Sequence, residues 1–382
     1  MPSPTLALGL LGLALGLAAS WLTLPCPHYW AARELRVLRM GANASSAATE
    51  HVQPTLGNLL GARSLGSLLV STGGVWGAPA ADVYTSNGSR LQCASEAAPN
   101  STVYLADLGR PWQWAAEQPG HERRVLLPGD QSELTLATLA IEPALFRVRG
   151  LLTAQEAAAL YAAAEPKLQP AQVRSSSAAG AELRADAGRT TAAAWLHGHQ
   201  DPSREVAEAQ QLQRRVAALL RLPEALLASH VEPVLVEAAA EGQFYAPHVD
   251  YLGAPTSDDD ARAHDTARQP TAGGTNRAAA VLVFLTDADD EAGGHAVFPF
   301  VRGEAKGTHA AGAEGAPPCD FPTVRQRRGL MVTPRAGDAL LWYPQRPGGQ
   351  LDGRTRRGLC PVLRGRQATA TVFAWNKPVL YG

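Results

Sequence analysis

The sequence predicts an α+β chain in which a layer of helices precedes an all-β sandwich or jelly roll. Three observations lead there. A capping-box pattern, Thr153 with Glu156 three residues on, opens the string AQEAAALYAAAEPKL. A second stretch after Pro202 places Val206, Leu212, Val216 and Leu220 at helical spacing. The period then changes. Val231 to Val236, Ala279 to Leu285, Leu330 to Val332, Ala339 to Tyr343 and Thr369 to Trp375 are short apolar or β-branched runs between Gly, Pro and Asp clusters.

Length and composition bound what these elements can build. With 382 residues, 46% of them apolar, the chain can bury a large core, which excludes both a mini-protein and wholesale disorder. Thirty-four basic against 35 acidic side chains leave a net charge of −1. No overall field therefore draws the chain to nucleic acid, and none is expected as a partner.

Thr5 to Leu24 is an uncharged apolar run closed by Pro25, long enough to span about 30 Å of hydrocarbon as a helix. Residues 1–25 are read as a signal anchor or a signal peptide, with the retained anchor ahead. Ala18, Ala19 and Ser20 would suit cleavage, and Arg33, Arg36 and Arg39 after the run argue weakly against the anchor's orientation. Sequons at Asn43, Asn87 and Asn100 follow, as expected of a glycosylated chain in the lumen of the endoplasmic reticulum or another secretory compartment. Cys26, Cys93, Cys319 and Cys360 show no C-x-x-C spacing, which disfavours structural zinc and permits one or two disulfides. Residues 26–132, mixed in Gly, Ser, Asn and Ala, read as a lumenal stem or accessory region, and 133–382 as the main domain. Within that domain Leu134 to Val148 is an apolar stretch, and the polar, aperiodic Thr256 to Thr275 is expected to loop over one end.

The string Gly242-Gln-Phe-Tyr-Ala-Pro-His248-Val-Asp250 carries the chemistry, because a His and an Asp two apart in an extended chain project to one face. Such a pair can meet one ion, and iron(II) in the 2-His-1-carboxylate facial triad adds a distant second His.

Around that string, five segments stand in an order that resembles the prolyl 4-hydroxylase branch of the iron(II)/2-oxoglutarate dioxygenases. They are Arg189 to Trp195, Gly242 to Asp250, Asn276 to Asp287 with Gly293 to Pro299, Pro334 to Trp342, and Thr355 to Gly365. The resemblance covers Leu134 to Lys377. It implies a double-stranded β-helix, a jelly-roll barrel whose mouth holds the metal. It further implies iron(II), 2-oxoglutarate as cosubstrate, ascorbate as reductant, and a proline-containing peptide that is hydroxylated. His248 and Asp250 match two of the family's metal ligands, and Tyr245 lies in the 2-oxoglutarate region.

Four positions depart from the family. Arg357 stands where the distal histidine ligand belongs, and a guanidinium has five donors and no lone pair to give iron. Gln367 replaces the lysine that pairs with the far carboxylate of 2-oxoglutarate, a charge-assisted contact of about 1.5 to 3 kcal/mol. Ala239 replaces a tyrosine and Ala280 a threonine. Three readings stay open. His295 could substitute as third ligand, with Arg366 or Arg364 holding the cosubstrate. The barrel could be a catalytically silent interaction module. Arg357 could itself take the place of the metal charge, pairing with Asp250 or an acidic ligand. Elsewhere, His197, His199, His264 and His309 read as solvated loop residues, Trp342 and Trp375 as barrel wall, and Tyr245 and Tyr251 as packing or groove residues. Cys360 is read either as a partner of Cys319 or as a buried thiol.

Overall fold

The computed structural model describes residues 36–39, 50–51, 81–91, 101–107, 111–129, 132–177, 180–184, 187–252, 275–302 and 307–379. Two compact units emerge, Met1–Leu108 and Gly109–Gly382. In the first, strands β1 (Arg36–Arg39), β2 (Glu50–His51), β3 (Ala81–Thr85), β4 (Arg90–Leu91) and β5 (Thr102–Asp107) form one sheet in the order β2-β1-β5-β3-β4. The expected membrane segment, Asn43, Asn100 and the 256–274 part of the expected loop lie outside the described residues. Among the described residues no helix is long and apolar enough to cross a membrane. Asn87 is exposed in the β3–β4 turn, its side chain tied to Thr85 and Ser89.

The second unit begins with β6 (Glu122–Leu126), β7 (Glu133–Ala140) and β8 (Leu145–Arg149). Helix α1 (Ala154–Ala164) follows, then β9 (Gln169–Pro170), β10 (Val173–Ser177), β11 (Gly180–Arg184) and β12 (Ala192–Leu196). Helices α2 (Ala207–Leu219) and α3 (Leu227–His230) lead into β13 (Val234–Ala240), β14 (Tyr245–His248), β15 (Arg277–Phe284), β16 (Ala296–Phe298) and β17 (Thr308–Ala310). The chain ends with α4 (Pro322–Arg327), β18 (Leu330–Val332), β19 (Ala339–Trp342), β20 (Arg357–Leu359) and β21 (Arg366–Trp375). The capping box forms as read: Glu156 N donates to Thr153 Oγ1, and Thr153 N donates to the Glu156 carboxylate at 2.8 Å. Glu156 also takes a bidentate pair from Arg215 of α2 at 2.8 and 3.0 Å, which clamps the two helices. The stripe Ala209, Leu212, Val216 and Leu219 of α2 is buried, and this helix contacts β21.

Two sheets make the barrel. One has nine strands, β6-β7-β8-β19-β15-β21-β13-β12-β9, and the other five, β14-β20-β16-β18-β17. From β13 onward the chain alternates between the sheets, apart from β16 to β18, which stay in one, so that β13, β21, β15 and β19 are neighbours in the first and β14, β20, β16 and β18 in the second. This is the double-stranded β-helix of a jelly roll. A core cluster joins the inner faces: Leu282 and Phe284 of β15, Phe298 of β16, Leu330 and Val332 of β18, Trp342 of β19 and Phe373 of β21 are all at most 3% exposed.

The sequence boundary after residue 132 cuts into this unit, because the described residues 111–129 fold with it. Trp112 and Trp114 are buried edge to face at 5.8 Å. Trp114 Nε1 donates to Leu219 O, and β6 pairs with β7 along its whole length. Two indoles in an otherwise small-residue stretch were the available signal.

Candidate metal and cosubstrate site

The register of β14 on β20 builds the site. Tyr245 faces Leu359 and His248 faces Arg357 across an antiparallel pair with an irregularity between them. Asp250 lies two residues beyond His248, so imidazole, carboxylate and guanidinium arrive together. His248 Nδ1 meets Ala246 O at 2.9 Å, which turns Nε2 toward Asp250 Oδ1 at 3.6 Å. Arg357 closes the remaining side: Nε reaches Asp250 Oδ2 and Nη2 reaches Oδ1, both at 3.1 Å. Both side chains of this pair are 3% exposed.

A chain of stacked and paired groups continues inward. Tyr245 stacks on His248 with ring centroids 3.7 Å apart, and the Arg189 guanidinium lies 4.7 Å over the Tyr245 ring. Arg189 Nη2 pairs with Glu237 at 2.7 Å. At the other end Arg357 sits 5.5 Å from the Trp342 ring centroid. Sequence reasoning did not single out Glu237, although one carboxylate inside the apolar string VLVEAAA is the mark of a buried partner.

Electrostatics follow from burial against pairing. Burial pushes the Asp250 carboxyl up, and the Arg357 charge with His248 outweighs it, leaving the group well below the usual carboxylate range. Burial likewise opposes the charge on Arg357, and Asp250 and Glu237 more than restore it. The Tyr245 hydroxyl is pushed up to about 12, mainly by burial.

The other sequence candidates separate. Gln367 pairs with Ala239 in register and is buried. Its Oε1 has no hydrogen-bond partner among the described residues, as is true of Thr371 Oγ1 and Trp342 Nε1. Arg366 takes the opposite face of β21, where it bonds the Tyr161 hydroxyl at 2.6 Å and Glu165 at 2.9 Å in solvent. Arg364 pairs with Asp289. His295 does not join His248 and Asp250. Its Nε2 faces Asp290 Oδ1 at 3.4 Å, and His309 Nε2 meets the same oxygen at 3.1 Å. His309 is therefore a strand residue in a cluster, not the solvated loop residue the sequence suggested. Burial holds the His295 imidazole below its ordinary pKa against the pull of Asp290. Cys319 and Cys360 form a disulfide across 41 residues.

As arranged, His248 and Asp250 do not fit an iron(II) ion. A facial triad needs three lone-pair donors on one side of the metal. Here the third corner holds a cation without a lone pair, and both oxygens of Asp250 already accept from it. The cosubstrate position retains a neutral amide at Gln367 where a carboxylate would require charge.

No family model matches the chain. Curated relatives do. Probable prolyl 4-hydroxylase 7 of Arabidopsis thaliana is 29% identical over 233 residues, 61% of this chain and 63% of that protein. The chain thus spans just under two thirds of that relative's length. Prolyl 4-hydroxylase 1 of the same plant is 27% identical over 277 residues, 72% of this chain and 81% of that one. A solved structure of viral collagen prolyl hydroxylase from Paramecium Bursaria Chlorella virus-1, described as a 2OG complex, aligns at 16% identity. It has a TM-score of 0.40, covering 60% of this chain and 95% of the viral one.

Proposed function

We propose, from the premise that the chain is a prolyl 4-hydroxylase-like relative of the iron(II)/2-oxoglutarate oxygenases, that it acts on peptidyl proline as the names of its relatives indicate. The family's cofactors are iron(II), 2-oxoglutarate and ascorbate. Were they held by this chain, they would supply oxidising chemistry for proline hydroxylation, with His248 and Asp250 the residues that would hold the metal once Arg357 released the carboxylate. What supports the reading is the extended sequence relationship, together with the match of His248 and Asp250 to two of the family's ligand positions. Residence in the secretory lumen, an N-terminal membrane anchor and glycosylation at Asn43, Asn87 and Asn100 belong to the same proposal and rest on the sequence.

A second reading, a catalytically silent interaction module, is favoured by one specific observation. Arg357 holds both oxygens of Asp250 in a buried pair, so turnover through this site requires that pair to open. In the closed form the chain's own residues do defined work. Arg357 neutralises Asp250, Tyr245 stacks on the His248 ring, and Arg189, paired with Glu237, lies over the Tyr245 ring.

The experiment incubates the full chain with iron(II), labelled 2-oxoglutarate and a proline-rich peptide, and measures succinate against a His248→Ala control. Succinate above that control establishes the hydroxylase reading. Its absence, with turnover appearing in an Arg357→His, Gln367→Lys double variant, establishes the silent module.

A further inference from the structure

The five-stranded sheet has two faces, and the site described above uses only the inner one. Ala296 and Phe298 of β16, with Leu330 and Val332 of β18, face the inter-sheet core, whereas Val297 and Met331 belong to an outer cluster with Cys319, Val324 and Cys360. His295 shares the parity of Val297. His309 is the cross-strand partner of Met331. Thr333 follows in the same alternation, so all three side chains stand on the outer face. Asp290 reaches them from the loop between β15 and β16.

Their geometry is that of a ligand set. Asp290 Oδ1 lies 3.1 Å from His309 Nε2 and 3.4 Å from His295 Nε2, and the three donor atoms are within 4.8 Å of one another. Ligand atoms about 2.0 to 2.1 Å from a tetrahedral zinc ion stand about 3.3 to 3.4 Å apart. The backbone is built to hold His295 there. Gly293 and Gly294 have φ of +73° and +68°, and a Cβ on Gly293 would lie 2.3 Å from Pro361 O.

A second observation points to an ion instead of a proton network. Thr333 Oγ1 also meets Asp290 Oδ1, at 3.0 Å, so three groups converge on one carboxylate oxygen that has two lone pairs. Thr333 Oγ1 is in turn 3.3 Å from His309 Nε2. A cation at the centre converts this crowding into coordination. The His295 side chain is fully buried, while His309 and Asp290 are 25% and 51% exposed. An ion thus has a fixed inner ligand and an open approach from solvent.

We propose that Asp290, His295 and His309 bind one zinc-class divalent cation on the outer face of the five-stranded sheet, with water completing the coordination and Thr333 orienting the Asp290 carboxylate. Two nitrogens and one oxygen of intermediate softness suit zinc or cobalt(II) over magnesium or calcium. The ion staples the β15–β16 loop to β17, on the side of the sheet opposite Arg357. This site stands whether or not the inner one turns over.

The test titrates the full chain with zinc chloride and, separately, with cobalt(II), reading stoichiometry, the visible bands of four-coordinate cobalt and the thermal midpoint. One equivalent of zinc with a raised midpoint is expected. Asp290→Asn, on an exposed side chain, and His309→Gln, on a half-buried one, are expected to fold and to lose the cobalt bands. Thr333→Val should weaken binding by about tenfold, as removal of an outer-shell partner does. His248→Gln should bind zinc as the parent does. Absence of zinc binding by the parent, binding that survives in both Asp290→Asn and His309→Gln, or binding lost in His248→Gln would each overturn the assignment.

Discussion

Replacing Arg357 by Met isolates what the guanidinium does for the fold. The methionine keeps length and apolar contact with the Trp342 ring but leaves the Asp250 carboxylate buried with His248 at 3.6 Å as its remaining polar neighbour within the site. Breaking one side of a buried ion pair costs about 3 to 5 kcal/mol, because the surviving charge stays desolvated. That figure applies because both partners are 3% exposed and joined through two hydrogen bonds. The pH dependence follows from the direction of the Asp250 shift. In the parent the carboxyl is depressed, so its contribution is complete above the unfolded value of about 3.9 and is lost only as pH falls toward the lower folded value. In Arg357→Met, burial, the largest influence on the group, is opposed by His248 alone, and the carboxyl rises. The variant therefore loses stability as pH climbs past about 3.9. The gap between parent and variant should be narrowest at the acid end of the accessible range, be already open near pH 4 where the parent's contribution is complete, and widen to about 3 to 5 kcal/mol at pH 7, measured by urea unfolding at each pH. Adding Asp250→Leu removes the orphaned charge and should restore the parent's stability or exceed it by about 1 to 4 kcal/mol. A single-variant loss below about 1 kcal/mol at pH 7, or a double variant no better than the single, would show that the pair is not what neutralises this interior.

Other outcomes follow from the same structure. Cys360→Ser, which opens a loop of 41 residues, should cost about 2 to 4 kcal/mol in denaturant unfolding, with no further loss on adding reductant. Glu156 is held at about 2, chiefly by Arg215, so its contribution is complete above about 4.5 and disappears as pH falls toward 2. Glu156→Gln should therefore lower stability by about 1 to 2 kcal/mol at neutral pH, discounted for a side chain 26% exposed, and by little near pH 2.

The elements legible in the sequence were those with a period or a cap. The Thr153 box and the stripe of α2 announced their helices, and the apolar runs of β15, β18, β19 and β21 their strands. The strands β14, β16, β17 and β20, as short as β18 and β19, carry His, Pro, Arg or Gly in or beside them, and their existence depends on partners far along the chain. In the candidate site, His248 and Asp250 could be named from spacing, since alternation alone puts them on one face. Arg357 could be flagged as unfit for iron from its chemistry, and its pairing with Asp250 was one of three readings left open; the β14–β20 register, which no local string encodes, is what selects it. Gln367 and Arg366 show the same limit in reverse: adjacency on one strand guarantees opposite faces, and the structure sends Arg366 to Glu165 in solvent. His309 stands in Gly- and Ala-rich sequence and looks idle until β18 brings its strand beside that of His295, which the sequence offered only as a third ligand for His248 and Asp250.

Restoring the family's residues is a test of charge as much as of ligation. Gln367→Lys alone adds an ammonium to an interior that already holds Arg357, at a 2% exposed position where, among the described residues, the native amide nitrogen donates to the Thr286 and Ala368 carbonyls. That single variant should be destabilised, because a buried charge without a counter-ion has nothing to offset its desolvation. Arg357→His removes the guanidinium, leaves Asp250 between two imidazoles, and presents three lone-pair donors on one side. The change in response to manganese(II) should therefore belong to Arg357→His and not to Gln367→Lys: a raised thermal midpoint in the first, none in the second or the parent. Adding 2-oxoglutarate should raise the midpoint further only when Lys is also present at 367, since only then is its far carboxylate paired. Were the parent to respond to manganese(II) as strongly as Arg357→His, the guanidinium would have to leave Asp250 at little cost, contrary to the 3 to 5 kcal/mol estimated from its burial.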